Sequence, residues 1–332
     1  MSTGEVFDVP GRWAELRSFY SVDEEIDCAL PARARSARVV HASGRRIEGR
    51  VVDGRVHFAP LTTGTYVVEA IQSGSQVIAE EIVKVARHPA ERPVHGFATS
   101  FDAESVPETL QWLRELRATV VQVYDWMHEY AAPLGRGAVW TDPSGRPVSL
   151  MALQELSSGV RALGGIAHAY APIYALDRPF AEQHPDWLLY RNDGEMQGFL
   201  DTIVLADPAH RGWQRHFGRV YGKAADEIGF AGFHVDTYGY PRAAQDSSGR
   251  PVNIRVGYEQ FLEELRACRP KDTISFNQVN GVPTATKLPK GPGFATARCG
   301  RQTVGGVTSR ACSSGAQETA GVAHHSKATV GP

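Results

Sequence analysis

Between residues 36 and 85 the chain alternates short apolar runs with polar turns. Segments rich in Val, Ile and Tyr at Ser36–His41, Arg45–Val52, Arg55–Phe58, Thr65–Ile71 and Gln76–Val85 are separated by Ser43-Gly44, Asp53-Gly54 and Thr63-Gly64 turn signals. Short strands at such intervals predict a small β-sandwich. Residues 20–88 are assigned to it, with 1–19 as an N-terminal segment. The unit carries no visible chemistry and reads as a structural or carbohydrate-contacting accessory domain.

His88-Pro89-Ala90-Glu91-Arg92-Pro93 reads as a linker, and beyond it the period changes. Strands are predicted at Val94–Thr99, Ala118–Tyr124, Gly165–Tyr170, Phe230–Val235 and Thr273–Phe276. Helices are predicted at Val106–Arg117, with Leu110, Leu113 and Leu116 on one face, and at Leu150–Leu163, Trp213–Ile228 and Tyr258–Cys268. Near-continuous apolar strands alternating with helices predict a parallel sheet covered by helices, an α/β fold. Five such units over residues 89–281 suit a doubly wound sheet or an incomplete (β/α)8 TIM barrel. No GxGxxG follows the first strand, which weighs against dinucleotide binding.

Polar and aromatic residues gather just after these strands: Tyr124, Asp125 and Trp126; His168, Tyr170 and Tyr174; Asp236 and Tyr238; Asn277 and Asn280. Loops at one rim of a barrel bring such residues together. Carboxylates, amides and broad aromatic faces suit a sugar better than a phosphate or a hydride donor. Asp236 ends the strand of Gly232-Phe233-His234-Val235-Asp236, with Tyr238 and Gly239 behind it and no helix to cap, so it is the candidate catalytic carboxylate. For Asp125, capping a helix or orienting a neighbour reads at least as well as a part in the chemistry. Trp126, in a loop, reads as a stacking surface, and His234, inside its strand, as structural. The long segment Ala171–His210 exceeds an ordinary connection and is a candidate lid or substrate wall.

Composition narrows the classes. The 332 residues carry a net charge of −2, so no attraction to nucleic acid or anionic membrane is expected. No apolar run approaches a membrane span of roughly 20 residues. Cys28, Cys268, Cys299 and Cys312 form no CxxC pair, and the histidines show no HxH or HExxH spacing, so neither a metal site nor a cofactor is expected. Met1–Glu24 lacks a basic start followed by an apolar stretch. A cytoplasmic protein is therefore the default, and a start codon further upstream would turn that into secretion.

Phe97–Asp102, Val123-Tyr124-Asp125-Trp126-Met127, Gly232–Gly239 and Ser275–Gly281 together resemble the signature segments of glycoside hydrolase family 66, the dextranases and cycloisomaltooligosaccharide glucanotransferases. The resemblance runs from the β-rich region to about Gly281. It implies an immunoglobulin-like domain before a (β/α)8 barrel and retaining attack on α-1,6-glucan. It places Asp236 on the nucleophile and Asp125 and Trp126 in the substrate cleft, with Tyr124, His168, Tyr170, His234, Tyr238, Asn277 and Asn280 as candidate substrate-binding residues. Two other classes remain open. One is a non-catalytic sugar-binding protein using Trp126, Tyr124 and Tyr238 as a platform. The other is an unrelated barrel hydrolase, for example a metal-dependent one.

Retention requires a second carboxyl group. The family carries it as a glutamate in a Tyr-x-Glu-Val-Trp-like segment after the next strand. Here Glu318 is the only acidic residue between Val282 and Pro332, and Phe294 the only Phe, Tyr or Trp. Residues 282–332 cannot bury a core and are expected to be disordered. A natural flexible tail is one reading. A shifted reading frame is the other: TTC-GCT-ACT-GCG-AGG-TGT-GG is one allowed coding of Phe294–Gly300, and from its third base it reads Arg-Tyr-Cys-Glu-Val-Trp. The same shift over Gly305–Cys312 permits Trp-Arg-His-Leu-Glu-Gly-Leu. A single-base slip near Gly291–Phe294 is the expectation, and with it an inactive chain.

Overall fold

The computed structural model describes residues 13–199, 202–237, 241 and 243–277, together with the backbone of strands Phe294–Val304 and Val307–Ser314. The N-terminal unit has two sheets. One orders Phe19–Ser21, Val77–Ala86, Gly64–Ile71, Ser36–His41 and Arg46–Glu48, and the other Ile26–Ala29, Arg55–Phe58 and Arg50–Val52. Alternate residues of both sheets enter one core, with Val39, Val68 and Val83 from the first and Ile26, Cys28, Val56 and Phe58 from the second. Each fully buried Val, Ile or Phe contributes about 1.5–3 kcal/mol. Trp13 and Leu16, expected outside this unit, are each 1% exposed and fill the same core. The expected strand Arg45–Val52 is two strands, because it breaks at Gly49.

Beyond Pro89–Glu91 the strands His95–Ala98, Val120–Val123, Ile166–Pro172, Gly232–Asp236 and Thr273–Asn277 lie side by side in chain order, all parallel. Helices Ser105–Glu115, Leu150–Ala162, Arg211–Ile228 and Ile254–Cys268 connect them. Ser149 and Asn253 cap two of these helices by accepting from the N–H groups of Ala152 and Val256. Arg211–Ile228 buries Trp213, Phe217, Tyr221, Ala225 and Ile228, a stripe at helical spacing, and ends at Gly229 with a left-handed φ of 84°. On Ser105–Glu115 the buried residues are Val106 and Leu113, whereas Leu116 caps the end and is 62% exposed. The expected Leu110–Leu113–Leu116 face is therefore corrected. The helix stops at Glu115, two residues early, so Leu116 leaves the stripe.

The sheet is open among the described residues. Its next strand is Phe294–Val304, parallel to Thr273–Asn277, followed antiparallel by Val307–Ser314. Part of the tail expected to be disordered thus has strand backbone. Edge pairing uses main-chain groups, which any non-proline sequence supplies.

The segment expected as a lid is a packed excursion. Ala175–Asp177, Ile203–Leu205 and Gly198–Phe199 form a small antiparallel sheet, and Leu188, Leu189, Val204 and Leu205 are fully buried. Tyr190 and Gln245 exchange both backbone hydrogen bonds, at 2.8 and 2.9 Å, which ties this excursion to the one following Gly232–Asp236. No described helix is long and apolar enough to cross a membrane.

Candidate active site

The strands deviate from the expected continuous apolar runs in one respect. Both faces are buried, yet the two faces differ. Phe233 and Phe276 turn toward the helices, against Phe217 and Tyr258. The alternate positions carry polar groups, and the pairings His168–Gly232–Thr273 and Tyr170–His234–Ser275 put them in level rows. One face of the sheet therefore holds His168, Tyr170, His234, Asp236, Thr273, Ser275 and Asn277.

Gly232 makes this row spacing achievable. A Cβ there would meet the carbonyl oxygen of Thr273 at 1.9 Å, so only glycine lets the two strands approach. Above it, Nδ1 of His234 lies 3.0 Å from Ser275 Oγ, and Nδ1 of His168 lies 3.2 Å from the same oxygen. His168 Nε2 meets Thr273 Oγ1. Both imidazoles are 1% exposed, and burial pulls each down to about 3, so they are neutral at neutral pH. They are a structural pair, neither a cation nor an acid. Tyr124 stacks on Tyr170 with centroids 4.4 Å apart and stands 5.7 Å from the ring of His234.

Asp236 closes its strand at 6% exposure. Asn277 Nδ2 donates to its Oδ1 at 2.8 Å. Thr237, the next residue, donates through Oγ1 to the carbonyl of Asn277 at 3.4 Å. A carboxylate thus sits at the C-terminal end of a parallel strand, with a neutral donor on one of its oxygens. Among the described residues no group of three or more His, Cys, Asp and Glu gathers as a metal centre.

The sequence profile of glycosyl hydrolase family 66 matches residues 58–288. The chain belongs to that family. It is 24% identical over 248 residues to a cycloisomaltooligosaccharide glucanotransferase of Niallia circulans, covering 68% of this chain and 26% of that protein. It is 25% identical over 201 residues to a dextranase of Streptococcus salivarius, covering 54% and 24% respectively. The match thus spans about a quarter of each relative's length. The fold is similar to that of a Paenibacillus sp. cycloisomaltooligosaccharide glucanotransferase solved with cycloisomaltoheptaose. Its TM-score is 0.66 at 21% identity, over 82% of this chain and 45% of that one.

Against the family's expected site, Tyr124, His168, Tyr170, His234, Asp236 and Asn277 come together on that one face of the sheet. Tyr238 and Asn280 lie outside the described residues. Trp126 is corrected. It is fully buried, edge-on to Tyr221 and Phe230 at 6.1 and 5.3 Å, and its indole N–H donates to the Tyr170 carbonyl at 3.0 Å. It packs on the helix side of the sheet and offers no sugar a face. Asp125 caps no helix. It has a left-handed φ of 52°, and its carboxylate accepts from Arg146 Nη2 at 2.7 Å, with Arg146 also paired to Asp142. Thr273, Ser275 and Thr237 were not singled out from the sequence. The signal was present in Thr273-x-Ser275-x-Asn277, a period-two polar row that repeats His234-x-Asp236.

Proposed function

We propose that the chain carries the nucleophile half of a retaining α-1,6-glucan site, with Asp236 as the attacking carboxylate. Family membership and the names of the dextranase and glucanotransferase relatives support the substrate class. The observation that carries the chemistry is Asp236 itself, buried at a strand end and gripped by Asn277. One carboxylate oxygen attacks the anomeric carbon, the glycosidic oxygen leaves, and a glycosyl ester forms. Water or a sugar hydroxyl then releases it. Tyr124 and Tyr170 supply the aromatic surface beside the reacting sugar. On this reading the five consecutive parallel strands are an arc of a (β/α)8 barrel and the N-terminal sheets an immunoglobulin-like domain.

We infer that a shifted frame removed the acid/base from residues 282–332, because an allowed coding of Phe294–Gly300 reads Arg-Tyr-Cys-Glu-Val-Trp when shifted. The family match stopping at residue 288, just before the expected slip at Gly291–Phe294, supports this. So does the position of Phe294–Val304, parallel beside Thr273–Asn277, where the strand leading to that glutamate belongs. Binding isotherms test the substrate reading. The chain is expected to bind isomaltoheptaose in preference to maltoheptaose and to release no oligosaccharides from dextran. Equal affinity for both linkages would overturn it. Robust dextran cleavage would overturn the missing acid/base.

A further inference from the structure

We propose that Asn277 is the positioning residue for Asp236, setting the plane of the attacking carboxylate rather than holding sugar. The proposal rests on the reading of Asp236 as nucleophile. His234 pairs with Ser275 and Val235 with Phe276, so Asp236 and Asn277 follow as the next neighbours across the two strand ends. Their contact, Nδ2 to Oδ1 at 2.8 Å, joins two side chains that are 6% and 5% exposed. Engaging Oδ1 stops rotation about the Cβ–Cγ bond. The amide does so without charge. A Lys or Arg in its place would pair with the carboxylate and blunt its attack.

Two further contacts point the same way. Thr237 Oγ1 donates to the Asn277 carbonyl, so the residue after the nucleophile holds the main chain that carries the donor. The two strand ends are thereby locked in both directions. Among the described residues the Asn277 Oδ1 atom is buried without a hydrogen-bond partner. A buried amide serving stability alone satisfies both of its ends. This one satisfies only the end that faces the carboxylate.

The experiment uses isomaltosyl fluoride, which needs no acid. A carboxylate oxygen of Asp236 forms the bond to the anomeric carbon as the C–F bond breaks, and fluoride leaves with the electron pair. Intact-mass kinetics give the rate of ester formation, and calorimetry gives affinity for isomaltoheptaose. Asn277→Ala is expected to slow ester formation by about 10²-fold, the scale of a misplaced reacting group, with affinity unchanged within about threefold. Asn277→Asp is near-isosteric and guards against misfolding. With one shared proton it again donates to Asp236, so near about pH 5 its rate is expected to recover to within about tenfold of native, then to fall as pH rises. A native rate in Asn277→Ala overturns the proposal. So does a loss of affinity matching the loss of rate, which makes Asn277 a sugar contact. An ester on Asp236 in the native chain with no effect of either variant sinks this inference alone. No ester on Asp236 in the native chain sinks the nucleophile reading and this inference with it.

Discussion

His168 and His234 share one hydroxyl: Ser275 Oγ lies 3.2 Å from Nδ1 of the first and 3.0 Å from Nδ1 of the second. A serine hydroxyl has one proton, and the Phe233 carbonyl also stands 3.5 Å away as an acceptor, so the hydroxyl donates to at most one imidazole and at least one ring donates to it through Nδ1. Ser275→Ala leaves both Nδ1 atoms buried without this partner. A loss of about 1–3 kcal/mol is expected in urea unfolding. An unchanged midpoint would show that the shared hydroxyl does not hold the pair.

The same pair sets the acid sensitivity. In the fold both rings stay neutral down to about 3, whereas in the unfolded chain they take up protons near 6.5. Below that value the unfolded chain binds more protons, so stability is full above about pH 6.5 and falls as pH drops toward 3. Each ring contributes about 1.4 kcal/mol per pH unit. Replacing either histidine with glutamine is expected to flatten the fall in urea midpoint between about pH 7 and pH 5. An equally steep fall in the variants would assign the sensitivity to other groups.

Trp126→Ala removes a fully buried indole from between Tyr221 and Phe230. A cost of about 3–5 kcal/mol is expected in thermal or urea unfolding. Loss of sugar affinity at unchanged stability would return Trp126 to the binding surface.

Gly232→Ala places a methyl group 1.9 Å from the Thr273 carbonyl oxygen, against main chain that cannot turn aside. The variant is expected to lose more than about 3 kcal/mol. Stability within about 0.5 kcal/mol of native would mean that the two strands part without cost.

The strands and helices flanking Asp236 were legible because each has a strong local signal: Val- and Ile-rich runs between turns, or an apolar stripe such as Trp213–Phe217–Tyr221. Asp236 was legible as a carboxylate at a strand end with no helix behind it. Non-local relations were not legible. Which side of the sheet Trp126 enters, the engagement of Asp125 by Arg146, and the contact of Asn277 with Asp236 across 41 residues depend on register and topology. The sub-sheet of Ala175–Asp177, Gly198–Phe199 and Ile203–Leu205 escaped because strands of two or three residues have no period to detect.

The frame of the tail is settled by nucleotide sequence. Codons for residues 285–300 are expected to read Arg-Tyr-Cys-Glu-Val-Trp when shifted at Phe294, with a single-base change near Gly291 restoring an open frame. Codons incompatible with that peptide would make the tail genuine.

The role of Asp236 is tested most directly by mapping the sugar ester after reaction with isomaltosyl fluoride. Tandem mass spectrometry is expected to place one isomaltosyl group on Asp236, and Asp236→Asn is expected to acquire none. An ester on another residue, or an equal adduct in Asp236→Asn, would contradict the assignment.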